Sequence, residues 1–200
     1  MSGTPAAPRR LIIGLTGSSA PHYGVRLLEV LRAETDYEVH AIISAGARKT
    51  IEYEMRRDAD EVVALAHVVH DERDLGASIA SGTFITAGMV VSPCSIKTLS
   101  AIANSHADNL IARAADVCLK ERRKLVLVVR ETPLHLGHIR LMAQATENGA
   151  VILPPVPAFY HRPATISDLI DHTVTKILDQ FGIDLGLIKR WEGLPGPGQT

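Results

Sequence analysis

Apolar residues fall along this chain in short runs, separated by longer stretches with a helical repeat. The runs are 11–15 (Leu-Ile-Ile-Gly-Leu), 39–43 (Val-His-Ala-Ile-Ile), 89–91 (Met-Val-Val), 125–129 (Leu-Val-Leu-Val-Val) and 151–153 (Val-Ile-Leu). Near-continuous apolar runs of this length predict strands buried on both faces of a parallel sheet. The run at 89–91 is followed by Ser92-Pro93-Cys94-Ser95, which reads as a break. After Pro21, a residue suited to a first helical turn, Val25, Leu27, Leu28, Val30 and Leu31 give one helix an apolar face. The spacing predicts further helices over 47–55, 58–66, 97–103, 110–123, 136–147 and 166–181. Asp168 lies in the first turn of the last, where an acid complements the helix dipole. Residues 78–86 are small and polar and read as loop. Strands that alternate with helices in this way predict an α/β fold, a single-domain doubly wound parallel sheet. The domain is expected over 10–192, with a disordered N-terminus at 1–9 and a Gly/Pro-rich disordered tail at 193–200.

The polar residues at the ends of the runs carry the candidate chemistry. They are Thr16-Gly17-Ser18-Ser19, Ser44, Ser95-Ile96-Lys97-Thr98 and Arg130-Glu131, the last stopped by Pro133. In a parallel sheet these positions converge on one edge, outside the carboxyl ends of the strands, where open α/β sheets bind ligands. Helix N-termini there favour an anion. The hydroxyls add donors and Lys97 and Arg130 add charge, so a phosphorylated ligand suits the edge. The first loop has neither G-x-G-x-x-G nor a P-loop Gly-Lys-Ser/Thr. The segment 113–123 holds Arg113, Lys120, Arg122 and Arg123 beside Asp116 and Glu121, and its pattern alone reads as a solvated face. Asp58, Asp60 and Glu61 read as a charged helix start, and no D-D-x-x-D cluster is present to hold magnesium on a diphosphate. His135 and His138 lack an H-E-x-x-H context and read as polar residues at a helix start.

Composition narrows the class further. Two hundred residues can bury a sizeable core. The chain is 46% hydrophobic with only 4% aromatic residues, so the apolarity comes from Ala, Val, Leu and Ile. A mean hydropathy of +0.11 leaves apolar surface for subunit interfaces. A net charge of −1 gives no electrostatic case for nucleic acid. Cys94 and Cys118 form no CxxC or zinc-like pair, which points to a reducing compartment. No signal-peptide core and no membrane-spanning stretch is visible, so a soluble cytoplasmic protein is expected.

Three stretches carry a resemblance: GMVVSPCSIKTLSAIA (88–103), ADNLIARAADVCLKERRKLVLVVRETPLHLGH (107–138) and GAVILPPVPAFYHRP (149–163). With them the chain resembles the flavin prenyltransferase family, formerly described as aromatic acid decarboxylases of ubiquinone synthesis, over about residues 10–193. The resemblance implies a flavodoxin-like, Rossmann-like fold that binds FMN and works without a metal. It implies transfer of a dimethylallyl group from dimethylallyl monophosphate to N5 and C6 of reduced FMN. The product, prenylated FMN, would serve a partner decarboxylase. Family members assemble as homo-oligomers, commonly dodecamers, with active sites between subunits. FMN contacts are implied at Gly17, Ser18, Ser19, Ser44, Ser95, Ile96, Lys97, Thr98 and Arg130. Substrate-phosphate contacts are implied at Lys120, Arg130, Tyr160 and Lys176, with Arg113 nearby. Glu54 and Glu131 match family carboxylates; Glu131, or the released phosphate, is the expected base for the flavin C6 proton, and Ser19 would orient the flavin near N5. The first loop departs from the family's Gly-Ala-Ser-Gly: here it reads Gly17-Ser18-Ser19-Ala20, then Pro21. A positive φ at Ala20 would strain it. Two rivals share the fold. An FMN-dependent cysteine decarboxylase would carry a Pro-Ala-Met-Asn-type stretch where this chain reads SPCSIKT, and a non-catalytic FMN carrier would not need Lys120, Glu131, Tyr160 and Lys176 together.

Overall fold

The structure is a computed structural model and describes residues 9–193. Six strands build one sheet: β1 (Arg10–Leu15), β2 (Glu38–Ile43), β3 (Val68–His70), β4 (Gly88–Cys94), β5 (Lys124–Val129) and β6 (Val151–Ile152). Their order is β3-β2-β1-β4-β5-β6 and every pair is parallel. Without the three-residue edge strand β3 the order is that of the flavodoxin-like fold, and the chain reverses its winding between β1 and β4.

The helices are α1 (His22–Glu34), α2 (Ala45–Thr50), α3 (Ala59–Val63), α4 (Ile96–Ala103), α5 (Leu110–Lys120), α6 (Leu136–Glu147) and α7 (Ile166–Asp179). They cover the sheet in two layers, each with its own core. Leu27, Leu28 and Leu31 of α1, Ala47 of α2 and Val174, Ile177 and Leu178 of α7 pack on one face. Leu99 and Ile102 of α4, Ile111, Ala114, Ala115 and Cys118 of α5 and Ala145 of α6 pack on the other. Leu125–Val129 is buried throughout, as an all-apolar run between two helical layers must be.

Several expectations change. β3 was not visible in the pattern: it is three residues long and Val69 stands 45% exposed at the sheet edge. β4 does not break at Ser92 but continues to Cys94, with a register shift between Val91 and Cys94 where Pro93, lacking an N–H, is accommodated. The helix expected over 47–55 becomes α2 followed by a π-helical turn, Ile51–Met55. The helix expected over 58–66 shortens to α3, residues 78–80 of the expected loop form a 3-10 turn, and α5 stops at Lys120 rather than Arg123. Pro21 caps α1 instead of lying inside it. Asp168 does more than face a dipole, because with Thr165 it completes a capping box. Arg9, placed in the expected disordered N-terminus, donates to the Tyr37 hydroxyl at 2.5 Å. The rest of that segment and residues 194–200 of the expected tail lie outside the described residues.

Candidate active site

Four strand ends meet at the carboxyl edge of the sheet, and hydrogen bonds tie them together. Thr16, just past β1, is buried; its hydroxyl donates to the Pro93 carbonyl at 2.7 Å and accepts from the Ser95 N–H at 2.9 Å. Ser18 Oγ donates to the Arg130 carbonyl at 2.8 Å, across from the end of β5. The Arg130 N–H donates to the Cys94 carbonyl and the Ser44 N–H to the Leu15 carbonyl. Ser44 caps α2 by accepting from Ala47 N, and Ser95 caps α4 by accepting from Thr98 N while donating to Thr98 Oγ1 at 3.1 Å. Ile96 and the exposed Lys97 open α4 beside them. Neither α1 nor α4 has an acid in its first turn, so the positive ends of both dipoles remain available to an anion.

The loop that follows β1 holds the tightest geometry. A Cβ placed on Gly17 would lie 2.9 Å from Gly46 Cα, so two backbones touch there and only glycine fits. Ala20 has a φ of +66°, the left-handed conformation that its position in the pattern made a concern. Glu54, from the π-helical turn, holds this segment in place. Its Oε2 accepts from the Ala20 N–H at 2.8 Å and from Ser19 Oγ at 3.1 Å. A hydroxyl-rich, glycine-lined cradle with Arg130 at its rim, its one carboxylate, Glu54, turned onto the Ser19-Ala20 segment, fits the phosphate and polar ring edge of FMN.

Arg130 is half-buried, and Glu131 beside it is exposed, its carboxylate accepting from the Thr132 N–H at 2.9 Å. Tyr23, in the first turn of α1, lies within the electrostatic reach of Arg130. Burial pushes its phenol up, and the Arg130 charge pulls the other way. Nothing in the sequence pattern marks Tyr23, which lies two residues beyond the departing Ala20-Pro21 turn. The buried thiols of Cys94 and Cys118 are both pushed up to about 12, so neither is a nucleophile at neutral pH.

The residues expected to bind the substrate phosphate do not all gather at this edge. Lys120 ends α5, pairs with Glu121 and lies by Gly82, below the start of β5. The six residues of β5 separate it from Arg130, roughly 20 Å at about 3.3 Å per residue. Arg113 lies higher on the same helix, donating to the Ala80 carbonyl and paired with Asp116 at 2.9 Å. Tyr160 and Lys176 belong to the opposite layer. The Tyr160 hydroxyl is 2.9 Å from His172 Nε2 on α7, and Lys176, one turn further, pairs with Asp179 at 3.1 Å. One protomer therefore presents three separate groups: the strand-end edge, the α5 face and the α7 face. Asp58 caps α3 and Asp60 pairs with Arg48, while His135 caps α6 by accepting from Gly137 N.

The fold and the strand-end site define a flavoprotein class, and the family model for Flavoprotein matches residues 2–178. Flavin prenyltransferase UbiX of Escherichia coli (strain K12) is 60% identical over 187 residues, which cover 92% of this chain and 99% of that protein. The chain belongs to the flavin prenyltransferase family. The crystal structure of AnUbiX (PadA1) in complex with FMN and dimethylallyl pyrophosphate superposes with a TM-score of 0.92 at 46% identity, covering 94% of this chain and 100% of that one. A dodecameric FMN-dependent UbiX-like decarboxylase from Escherichia coli O157:H7 superposes with a TM-score of 0.90, also at 46% identity, over 92% of this chain and 100% of that one. Among the described residues no helix is long and apolar enough to cross a membrane.

Proposed function

We propose that this chain transfers a dimethylallyl group from dimethylallyl monophosphate to N5 and C6 of reduced FMN, and that a partner decarboxylase in ubiquinone synthesis or aromatic acid decarboxylation takes up the prenylated FMN. The observation that carries the reading is the convergence of four strand ends, with Ser18 hydrogen-bonded to the backbone of Arg130 and Glu131 exposed beside it. When bound, reduced FMN supplies two electron-rich atoms as prenyl acceptors.

The residues divide the remaining work. Gly17, Ser18, Ser19, Ser44 and Ser95 to Thr98 hold the flavin, with Glu54 fixing the Ser19-Ala20 segment. Arg130 neutralises phosphate charge at the flavin edge, and Lys120, Tyr160 and Lys176, with Arg113 nearby, hold the leaving phosphate by charge-assisted hydrogen bonds. These cations act from neighbouring copies in a dodecamer, because one protomer keeps them on opposite layers. Glu131 takes the proton from flavin C6 as general base. No acidic cluster is needed, since side-chain cations replace a metal on the phosphate. Cytoplasmic residence agrees with two buried free thiols.

AnUbiX holds a pyrophosphate ester, which makes the diphosphate the alternative donor. The test is a single-turnover incubation of folded protein with reduced FMN and each prenyl ester in turn, read by flavin mass. A flavin carrying one dimethylallyl group is expected with the monophosphate. An unmodified flavin with both esters refutes the prenyl-transfer reading, and modification by the diphosphate alone refutes the choice of donor.

A further inference from the structure

The Tyr160 side chain carries a feature that phosphate binding alone does not explain. Its hydroxyl lies 2.9 Å from Nε2 of His172, an imidazole only 8% exposed on α7. The ring of His161 stacks on His172, centroids 5.1 Å apart and planes 9° from parallel. Both ring nitrogens of His161 are buried without a hydrogen-bond partner, so that ring serves as a flat wall. Trp191 meets the Tyr160 ring edge-on, centroids 5.9 Å apart. The His172 plane is thus fixed by packing, while the Tyr160 ring, 47% exposed, is held by its contact with Trp191 and its bond to His172.

A phenol has one proton to give. If Tyr160 gave it to His172, the hydroxyl would meet an anion with lone pairs only. If His172 donates, the phenol proton is released to point away from α7. Burial, together with the charges of His161 and Lys176, holds His172 below its ordinary value, with Asp179 opposing. The ring is therefore neutral at neutral pH and carries a single N–H. Among the described residues its only hydrogen bond is the one to Tyr160 through Nε2. We propose that His172 is a positioning residue for the substrate phosphate: its Nε2–H donates to the Tyr160 oxygen and turns the phenol proton outward to the anion. This inference rests on the reading of Tyr160 as a phosphate ligand.

The test is a double-mutant cycle on Tyr160→Phe and His172→Leu, with steady-state kinetics in dimethylallyl monophosphate. FMN affinity and assembly state serve as folding controls, and His172→Met is a second donorless variant should the leucine fail to fold. Losing one directed hydrogen bond to an anion should raise KM about tenfold, with little change in kcat. Tyr160→Phe should cost the same, and the double variant no more than either alone. His172→Gln, whose amide N–H can replace Nε2–H, should recover to within about threefold of wild type. Wild-type kinetics in the donorless variants, set against a loss in Tyr160→Phe, overturn the inference and leave the reading of Tyr160 standing. A glutamine variant as impaired as the leucine shows a merely structural role and also overturns it. Wild-type kinetics in Tyr160→Phe removes the reading of Tyr160 and the inference together.

Discussion

Replacing Ala20 with glycine should stabilise this protein. Ala20 has a φ of +66°, where an L residue with a Cβ loses about 1–2 kcal/mol against its right-handed conformation. Glycine removes that loss but makes the unfolded chain freer, which returns about 0.4–1 kcal/mol. The net gain is about 1 kcal/mol, or about 2–4 °C in Tm for a chain of this size. The contacts that hold the conformation remain in the variant. Glu54 Oε2 accepts from the backbone N–H of residue 20 and from Ser19 Oγ, and neither donor belongs to the alanine side chain. The assay is a thermal melt of apo protein, wild type and Ala20→Gly at one concentration, because bound flavin and assembly both shift Tm. An unchanged or lower Tm would show that this turn stores no strain and would refute the stabilisation expected from the backbone angle.

Removing the clamp rather than the strain should act in the other direction. Glu54→Ala leaves the Ala20 N–H and Ser19 hydroxyl without their acceptor, and should cost about 1–2 kcal/mol together with weaker FMN binding by fluorescence titration. A variant that melts and binds as wild type refutes the clamp. Gly24→Ala would set a Cβ 2.0 Å from the Ser92 carbonyl oxygen, backbone against backbone, and should cost about 3 kcal/mol or more in urea unfolding. Glu131→Gln should retain flavin while the later bond formation at C6 slows about 10²–10⁴-fold in stopped-flow traces, and closure at the wild-type rate means another group is the base. Acid should destabilise the fold through His70 and His172, both held below 6.5 by burial first. A depressed histidine is protonated more readily in the unfolded chain. Its stabilising contribution is present above the unfolded value and is lost as pH falls from there through the folded one. His172→Gln should flatten that loss in Tm, and an unaltered profile would remove His172 from the account.

The strand-end site was legible because its two ingredients are local. An apolar run and the polar residues that stop it are adjacent in sequence, and a parallel sheet brings every such stop to the same edge. Ser18 and Arg130 are 112 residues apart yet hydrogen-bonded for that reason alone. What was not legible depends on contacts with no local signature. β3 is too short to show a period, and Pro93 looks like a strand breaker until the bulge around it is seen. Lys120 and Arg130 mislead in the opposite sense, ten residues apart in the chain and at opposite ends of one strand. Tyr160 and His172 meet through a loop whose course no spacing rule fixes. The family resemblance implies a phosphate-binding role for Lys120, Tyr160 and Lys176, whereas the fold shows their separation.

That separation has an electrostatic counterpart. Lys120, Arg113 and Lys176 each face a carboxylate of their own helix or its end: Glu121, Asp116 and Asp179. Lys120 pulls the Glu121 carboxyl below its ordinary value, and Arg190 first, then Lys176, does the same for Asp179, so the pairs are charged and compensated in the protomer. Arg130 makes no salt bridge among the described residues. Its charge remains available at the flavin edge, while Lys120, Arg113 and Lys176 are satisfied until an anion competes for them. Exposed pairs of this kind are worth at most about 1 kcal/mol, so a phosphate that engages several cations at once can draw them from their partners at small cost. On the proposed reading, of the cations assigned to the phosphate a protomer alone offers one, Arg130, that has no carboxylate partner among the described residues. The remainder of the clamp is inexpensive to recruit but must come from surfaces that one chain cannot bring together.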